Sequence, residues 1–483
     1  MLRSIRTSLL LLALGGGAGA VAAGCGGGGS GGGGAAAAAI TSNTTGSTSS
    51  SGTGAVPTAA TPAAGRWWSG DLHSHSAPYS QDADSQGGDG PGVCFFLAET
   101  AGLDYLALTD HRTMDQVNDP TYRANTLSIL DGEEWGGAVH VGMVGLQRQV
   151  PEINGGLGAA TKNAQVQAAW DDAHRQGGVV ILNHPCQEGS ESIWLSRSFD
   201  AIEVWNTFWN SLPKGIRDTN ETNLDDKLRN EGLAQLGEDC TPELREAIRQ
   251  HGGGGNWQAL KLWEAHLNRG HKKAITGGGD RHMLVLPGMP TTHIYAVDKT
   301  RDQLIDGIKK CRTWVGAFQG PDVEFTADAD GDGVFEKIIG DSAPLNVPVK
   351  FRCRVKNTAG GRIDVIKNGQ THLQFGIISA DDTVEWTDTA TARTWVRVDI
   401  LEKIDWSKPQ SNGFQLLATT GTLFGQNGYQ ALMTLAAPLG FQVSVGTRIP
   451  TVRLPREYEK VLNFDRMNWN WARGAITSPI WIE

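Results

Sequence analysis

Six histidines, His73, His75, His111, His140, His184 and His282, stand at the edges of short apolar runs. "GDLHSH" follows the aromatic entry Trp67-Trp68 and places His73 and His75 two residues apart. In an extended segment such residues point to one face, so both imidazoles converge on one spot. That arrangement suits a cation better than a packed core. "LALTDH" ends in Asp110 and His111, "LSILDGEE" in Glu134, and "VVILNH" in His184. His140 opens "HVGMVGL", and Asp280 and His282 close "AITGGGDRH". Mixed imidazole and carboxylate sets bind divalent transition metals. One such histidine is ordinarily a structural residue, whereas six beside several carboxylates argue for a metal centre.

The elements that must position these residues are legible as an alternation between Arg66 and Pro321. "DYLALTD", "LSILDGEE", "HVGMVGL", "VVILNHP", "FDAIEVWN", "KKAITGGGD" and "THIYAV" read as strands. "NAQVQAAWDDAHRQGG" has helical spacing and a glycine stop, and "TRDQLIDGIKKC" is an amphipathic helix opened by Thr300. Strands alternating with helices predict an α/β fold with a parallel sheet or barrel. In such barrels the carboxyl ends of the strands face the active site. A polar insert at about 207–270 holds the helical stretches "TPELREAIRQ" and "NWQALKLWEAHLNRG". The tryptophans there and beside it, Trp205, Trp209, Trp257 and Trp263, either pack the insert onto the barrel or line a cleft. Beyond Pro321 the period changes to two in "VPVKFRCRVKN" and "RIDVIKNGQTHLQF", with Asn368-Gly369 as a hairpin signal. This predicts a β-sandwich over 321–483, interrupted by a region, 407–470, that the pattern does not assign.

Taken in order, "DLHSH", "LALTDH", "GEEW", "NHP" and "GDRH" resemble the motifs of the PHP (polymerase and histidinol phosphatase) superfamily. Their order and spacing are most similar to its CehA/McbA-like metallohydrolases, over roughly 67–320. The resemblance implies a distorted (β/α)7 barrel with a C-terminal β-sandwich and two or three divalent ions of zinc, manganese or iron. It assigns His73 and His75 to one metal with Asp280. Glu134, two residues after the glycine and so preferred over Glu133, would bridge to a second metal completed by His140 and His184. His111 and His282 would hold a third metal or act on the substrate, His282 or His111 as proton donor. Asp110 would orient a histidine. The chain departs from the family's pattern at three places. Asp82 in "YSQDADSQ" stands for the carboxylate of an absent Ser-Asp-Gly. Arg112 replaces an asparagine, and Arg281 separates two ligands. Either arginine could grip an anionic group bidentately, or be merely salt-bridged. The implied activity is that of a metal-dependent hydrolase, a phosphoesterase acting on a small anionic phosphomonoester or phosphodiester through a metal-bound hydroxide. A carbamate or carboxylic ester is the alternative substrate. A non-catalytic binding lipoprotein is the reading from another class, and the full ligand set argues against it.

Composition fits this picture. Of 483 residues 39% are hydrophobic, and the formal net charge is −10 from 42 basic and 52 acidic residues. A broadly basic nucleic-acid surface is therefore not expected. Arg3 and Arg6, the apolar "SLLLLAL" and "AAGC" ending at Cys25 form an export signal over 1–24. The last four residues resemble a bacterial lipobox, which implies lipid on Cys25 and anchoring of an exported protein to a membrane. Ordinary secretion would use the same small-residue run. Residues 25–65 are a Gly/Ala/Ser/Thr linker with little to bury. Such a tether of roughly 40 residues reaches about 35 Å in r.m.s. terms. No CxxC pair exists among the six cysteines. "DADGDGVFE" at Asp328 begins like a calcium loop, but Ile339 stands where a bidentate glutamate belongs, so it reads as a polar turn with weak calcium binding as the alternative.

Overall fold

The computed structural model describes residues 65–85, 88–136, 140–152, 159–185, 198–206, 255–282, 287–317, 320–403, 449–450 and 471–483. The export signal, Cys25, nearly all of the linker, most of the insert, Cys186, Cys240 and most of 407–470 lie outside these residues.

Nine strands build the half of the sheet that carries the histidines. They are β1 (Arg66–Asp71), β2 (Tyr105–Leu108), β3 (Ser128–Trp135), β4 (Val141–Val144), β5 (Val179–Leu182), β6 (Ala201–Asn206), β7 (Ala274–Gly278), β8 (Thr291–Ala296) and β9 (Thr313–Gly316). β2, β5 and β6 are buried along their whole length, as the apolar runs require of strands covered on both faces. The sheet is mixed rather than all-parallel. β1–β2–β3 and β5–β6–β7 are parallel sets. β4 runs antiparallel between β3 and β5. This reversal brings the start of β4 to the rim where the other strands end, and His140 stands at that start. β8 is antiparallel to β1, and β9 to β8.

The sheet curls until β7 returns to β8. There the Gly277 amide donates to Thr292 Oγ1 at 2.8 Å, and that hydroxyl donates to the Gly277 carbonyl at 2.7 Å. A Cβ at Gly277 would lie 2.6 Å from Val315 Cγ1, so only glycine permits this approach. The expected (β/α)7 repeat is only partly realised. Among the described residues helices are few: α1 (Gln81–Ser85), α2 (Pro91–Thr100), α3 (Ala159–Arg175), α4 (Gly255–Asn268) and α5 (Arg301–Lys309). Thr300 does occupy the N-cap of α5, but its hydroxyl turns back to Asp298 instead of capping. Among the described residues no helix is long and apolar enough to cross a membrane.

The C-terminal strands are β10 (Asp322–Asp328), β11 (Lys337–Ile338), β12 (Ser342–Ala343), β13 (Val349–Lys356), β14 (Arg362–Lys367), β15 (Gln370–Gly376), β16 (Asp381–Asp388), β17 (Thr394–Lys403), β18 (Ile449–Pro450), β19 (Trp471–Thr477) and β20 (Ile480–Ile482). β13 alternates buried and outward residues as its sequence does. Asn368 and Gly369 both take positive φ, 50° and 83°, between β14 and β15, as a two-residue hairpin demands. β11, β10, β13 and β16 form one antiparallel sheet. Its inner face packs Phe325, Phe351 and Val355 against Val365, Val398 and Ile480 of the other layer. That second layer is not a separate sheet. β19 pairs with β9, so it continues the histidine-bearing sheet. The two layers meet as a sandwich, yet one of them is shared with the curled histidine-bearing sheet.

Trp205 and Trp263 are fully buried in the core, so they pack α4 rather than line a cleft. Trp209 and the Trp257 side chain lie outside the described residues. Asp328 accepts the amides of Gly331 and Gly333 and closes the β10–β11 turn, while Ile339 is a core residue. Cys94, Cys311 and Cys353 are buried and unpaired with one another.

α4 is tied to the sandwich by a buried ion network. Arg397 meets Glu264 at 2.8 Å and Asp399 at 2.8 Å, and Arg473 meets Asp399 at 2.7 Å. Removing one partner from such a network strands an uncompensated charge, at a typical cost of about 3–5 kcal/mol. Arg397→Met is therefore expected to lower the unfolding free energy by about that amount, measured by denaturant titration of the metal-free protein.

Candidate metal centre

The rim where β1, β2, β3, β5 and β7 end and β4 begins gathers all six histidines. β1 stops at Asp71, so His73 and His75 lie just beyond it, in a segment held by a Ser74–Arg281 bridge. Their Nε2 atoms are 3.2 Å apart. Both rings are buried, and no more than one proton fits between two nitrogens so placed.

Glu134 lies at the middle of the cluster and is fully buried. Its Oε1 is 3.2 Å from His73 Nε2, 3.2 Å from His140 Nδ1 and 3.1 Å from His184 Nε2. Its Oε2 is 3.0 Å from His111 Nδ1 and 3.4 Å from His75 Nε2. The neighbouring Glu133 faces away, accepting the Val150 amide at 2.6 Å, and burial pushes its carboxyl up to about 8. Asp280 Oδ1 lies 3.4 Å from His73 and 3.3 Å from His75, with Oδ2 3.9 Å from His184. Asp82, at the start of α1, sets Oδ2 2.8 Å from His111 Nε2 and 2.7 Å from His282 Nε2. The ring of His75 is stacked between those of His111 and His282, at centroid distances of 4.5 and 4.3 Å.

These spacings test whether a cation fits. Ligand atoms bonded at about 2.0–2.1 Å to one ion sit roughly 3.0–3.4 Å from each other, which is the separation seen across Glu134. Two disjoint sets could each hold an ion: His73, His184 and Asp280, and His75, Asp82, His111 and His282. Glu134 adds a carboxylate oxygen towards each, through the further groupings His73–His75–Glu134 and His111–Glu134–His140. Glu134 Oε2 and His140 Nδ1 are buried and make no hydrogen bond of acceptable geometry among the described residues, as expected of groups aimed at a cation. The expected grouping of His73 and His75 with Asp280 is also within reach, since Asp280 Oδ1 lies 3.4 and 3.3 Å from their Nε2 atoms, and Asp82 joins His111 and His282.

Electrostatics follow from this crowding. Burial, together with the charges of His282 and His111, lowers His75 to about 3. Burial also opposes a charge on His282, but the Asp82 hydrogen bond and Asp280 raise it to about 9. Three non-glycine residues at the rim adopt positive φ, Arg112 at 57°, His184 at 25° and Asp280 at 48°. Such strain concentrates at functional sites. Asp280 and His282 thus meet through a left-handed turn rather than an extended segment, with His282 Nδ1 2.8 Å from the Asp280 carbonyl oxygen.

Two expectations are corrected. Arg281 does not face the cluster as a substrate grip. Its guanidinium is fully buried, ion-paired with Asp89 and 3.2 Å from Cys94 Sγ. Among the described residues Asp110 makes no hydrogen bond to a histidine; it accepts the Ser76 amide at 2.5 Å and hydroxyl at 2.7 Å, and burial raises it to about 7. Arg112 remains exposed beside His111.

Sequence reasoning missed the residues beneath the ligands. Asp71 accepts the amides of His73, Gly279 and Gly288 at 3.0, 3.1 and 2.8 Å. Glu203 and Asn206 support the cluster from β6, and Asn183 Nδ2 donates to Glu134 Oε1 at 3.0 Å. The glycine run before Asp280 was an available signal. A Cβ at Gly278 would lie 2.4 Å from His73 Cβ and 2.6 Å from Glu203 Oε1.

No family model matches the chain, and no curated protein does. Among solved structures, it is similar to a two-domain protein from Bacteroides vulgatus described as containing a predicted PHP-like metal-dependent phosphoesterase. That likeness has 13% identity, covers 69% of this chain and 90% of the other, and has a TM-score of 0.32. PsfC from Pseudomonas syringae is similar at 15% identity over 50% of this chain and 87% of its own, with a TM-score of 0.28.

Glu134→Gln should leave the fold intact while lowering bound metal and turnover together, and Glu133→Gln should spare both. Circular dichroism beside elemental analysis checks this; the reverse pattern would move the centre to Glu133.

Proposed function

We propose that the chain is a metal-dependent hydrolase whose first substrate class is a small phosphomonoester or phosphodiester. The observation that carries the reading is the Glu134 carboxylate with histidine nitrogens 3.0–3.4 Å from both of its oxygens. Charge supports it too. Asp82, Glu134, Glu203 and Asp280 each contact a histidine, and four carboxylates offset the charge of two divalent ions. Bound divalent cations of zinc, manganese or iron would lower the pKa of a water and neutralise charge developing on phosphorus oxygens.

The chain's own residues take the remaining roles. His73, His184 and Asp280 hold one side of the site, and His75, Asp82 and His111 the other, with Glu134 and His140 between them. His282, with its Nε2 beside Asp82 Oδ2, takes the role of proton donor to a leaving oxygen in this reading. Arg112, exposed next to His111, is the side chain available to an anionic substrate group. In the same reading, lipid on Cys25 and the linker hold the enzyme at a bacterial membrane, on its periplasmic or cell-surface side.

The test is a screen of phosphomonoesters, phosphodiesters, carbamates and carboxylic esters with the zinc- or manganese-loaded protein. Turnover of phosphoesters supports the reading; turnover of carbamates or esters alone replaces the substrate class. His282→Ala should keep most of its metal while turnover falls about 100-fold or more, the scale of a lost acid–base group. Asp280→Ala should lose metal as well as rate. Equal loss of metal in both variants would make His282 a ligand and remove it as the proton donor.

A further inference from the structure

Glu203 is a buried carboxylate in the middle of β6 that no strand-end motif singles out. Its Oε1 lies 2.9 Å from His73 Nδ1, on the side of the ring opposite the cluster. Its Oε2 accepts the His184 backbone amide at 2.8 Å and Asn206 Nδ2 at 3.0 Å. Asn206 Nδ2 in turn lies 3.3 Å from Asp280 Oδ2. One side chain therefore touches or reaches all three members of the His73–His184–Asp280 set. It is bonded to none of His75, Asp82, His111 and His282 in the contacts seen among the described residues.

We propose that Glu203 is a positioning residue that sets the affinity of one half of the centre, the His73–His184–Asp280 half, and leaves the other half untouched. The inference rests on the metal-centre reading above. The physical basis is threefold. A carboxylate on Nδ1 fixes that nitrogen as the donor and turns the Nε2 lone pair of His73 towards the cluster, raising its basicity. The amide bond from His184 holds the backbone of a residue at φ 25°, a conformation the chain would otherwise relax. Asn206 passes the same carboxylate's hold to Asp280. Gly278 leaves the space for this arrangement, since any side chain there would strike Glu203 Oε1. Outer partners of metal-bound histidines typically contribute 10–100-fold in affinity.

The experiment titrates the full metal-free chain with zinc against a competing chelator, for the parent protein, Glu203→Gln and Glu203→Asp. Glutamine keeps the size but loses the charge and one of the two acceptors. The parent is expected to bind two ions. Glu203→Gln is expected to weaken one of them by 10–100-fold while the other changes less than about threefold, and Glu203→Asp to recover part of the loss. Unchanged binding of both ions, or equal weakening of both, overturns the proposal while leaving the metal centre standing. A parent protein that binds no zinc overturns the metal centre itself and the proposal with it. Should Glu203→Gln not fold, by circular dichroism of the metal-free chain, Asn206→Ala serves in its place. It should weaken the same single ion, and binding equal to the parent's overturns the proposal.

Discussion

A carboxylate buried among imidazoles is the constraint on which the rest depends. Removing Glu134 from water is costly unless its charge is met, and five histidines from four different segments surround it. The backbone around it is held as firmly as the side chain. The Glu134 amide donates to the carbonyls of Thr109 and Asp110, and its own carbonyl accepts the Arg112 amide. The end of β3 and the loop after β2 are therefore locked together before any ligand is considered. A cluster this rich in carboxylate charge and nitrogen lone pairs could hold divalent cations between its nitrogens and oxygens.

The fold bends to serve that cluster. β4 runs against its neighbours, and in doing so delivers His140 to the same rim as residues that end parallel strands. The run Gly277-Gly278-Gly279 removes side chains where β7 closes on β8, where His73 and Glu203 approach, and where Asp71 collects an amide. Asp71 then pins the His73 loop and the Asp280 loop to one point. Small residues thus determine where the large polar ones can stand. The sandwich contributes indirectly, through β19 on β9 and through Arg397 and Asp399 beneath α4.

Much of this was legible because the candidate ligands sit at the ends of apolar runs, where a period of hydrophobicity stops and a polar residue is left facing a rim. His73, His75, His111, Glu134, His184, Asp280 and His282 were singled out this way and the fold gathers them, and the Asn368-Gly369 turn by its own chemistry. Glu203 and Asn206 were not, because "IEVWN" looks like any strand whose last residues are polar. Their importance is a matter of which buried atoms they touch. The direction of β4 was equally hidden, since a short apolar run does not reveal its sense. Arg281 misled because its neighbours in sequence are ligands, whereas its guanidinium lies with Asp89 in the core. The sharing of one sheet between barrel and sandwich depends on β19, far along the chain from β9.

The central claim is that this rim is a two-ion centre. Elemental analysis of the purified chain, before and after reconstitution with zinc, manganese or iron(II), tests it most directly. The account predicts about two ions per chain, the number whose charge the four carboxylates offset. A chain that holds none of these metals after reconstitution, while folded by circular dichroism, would contradict it.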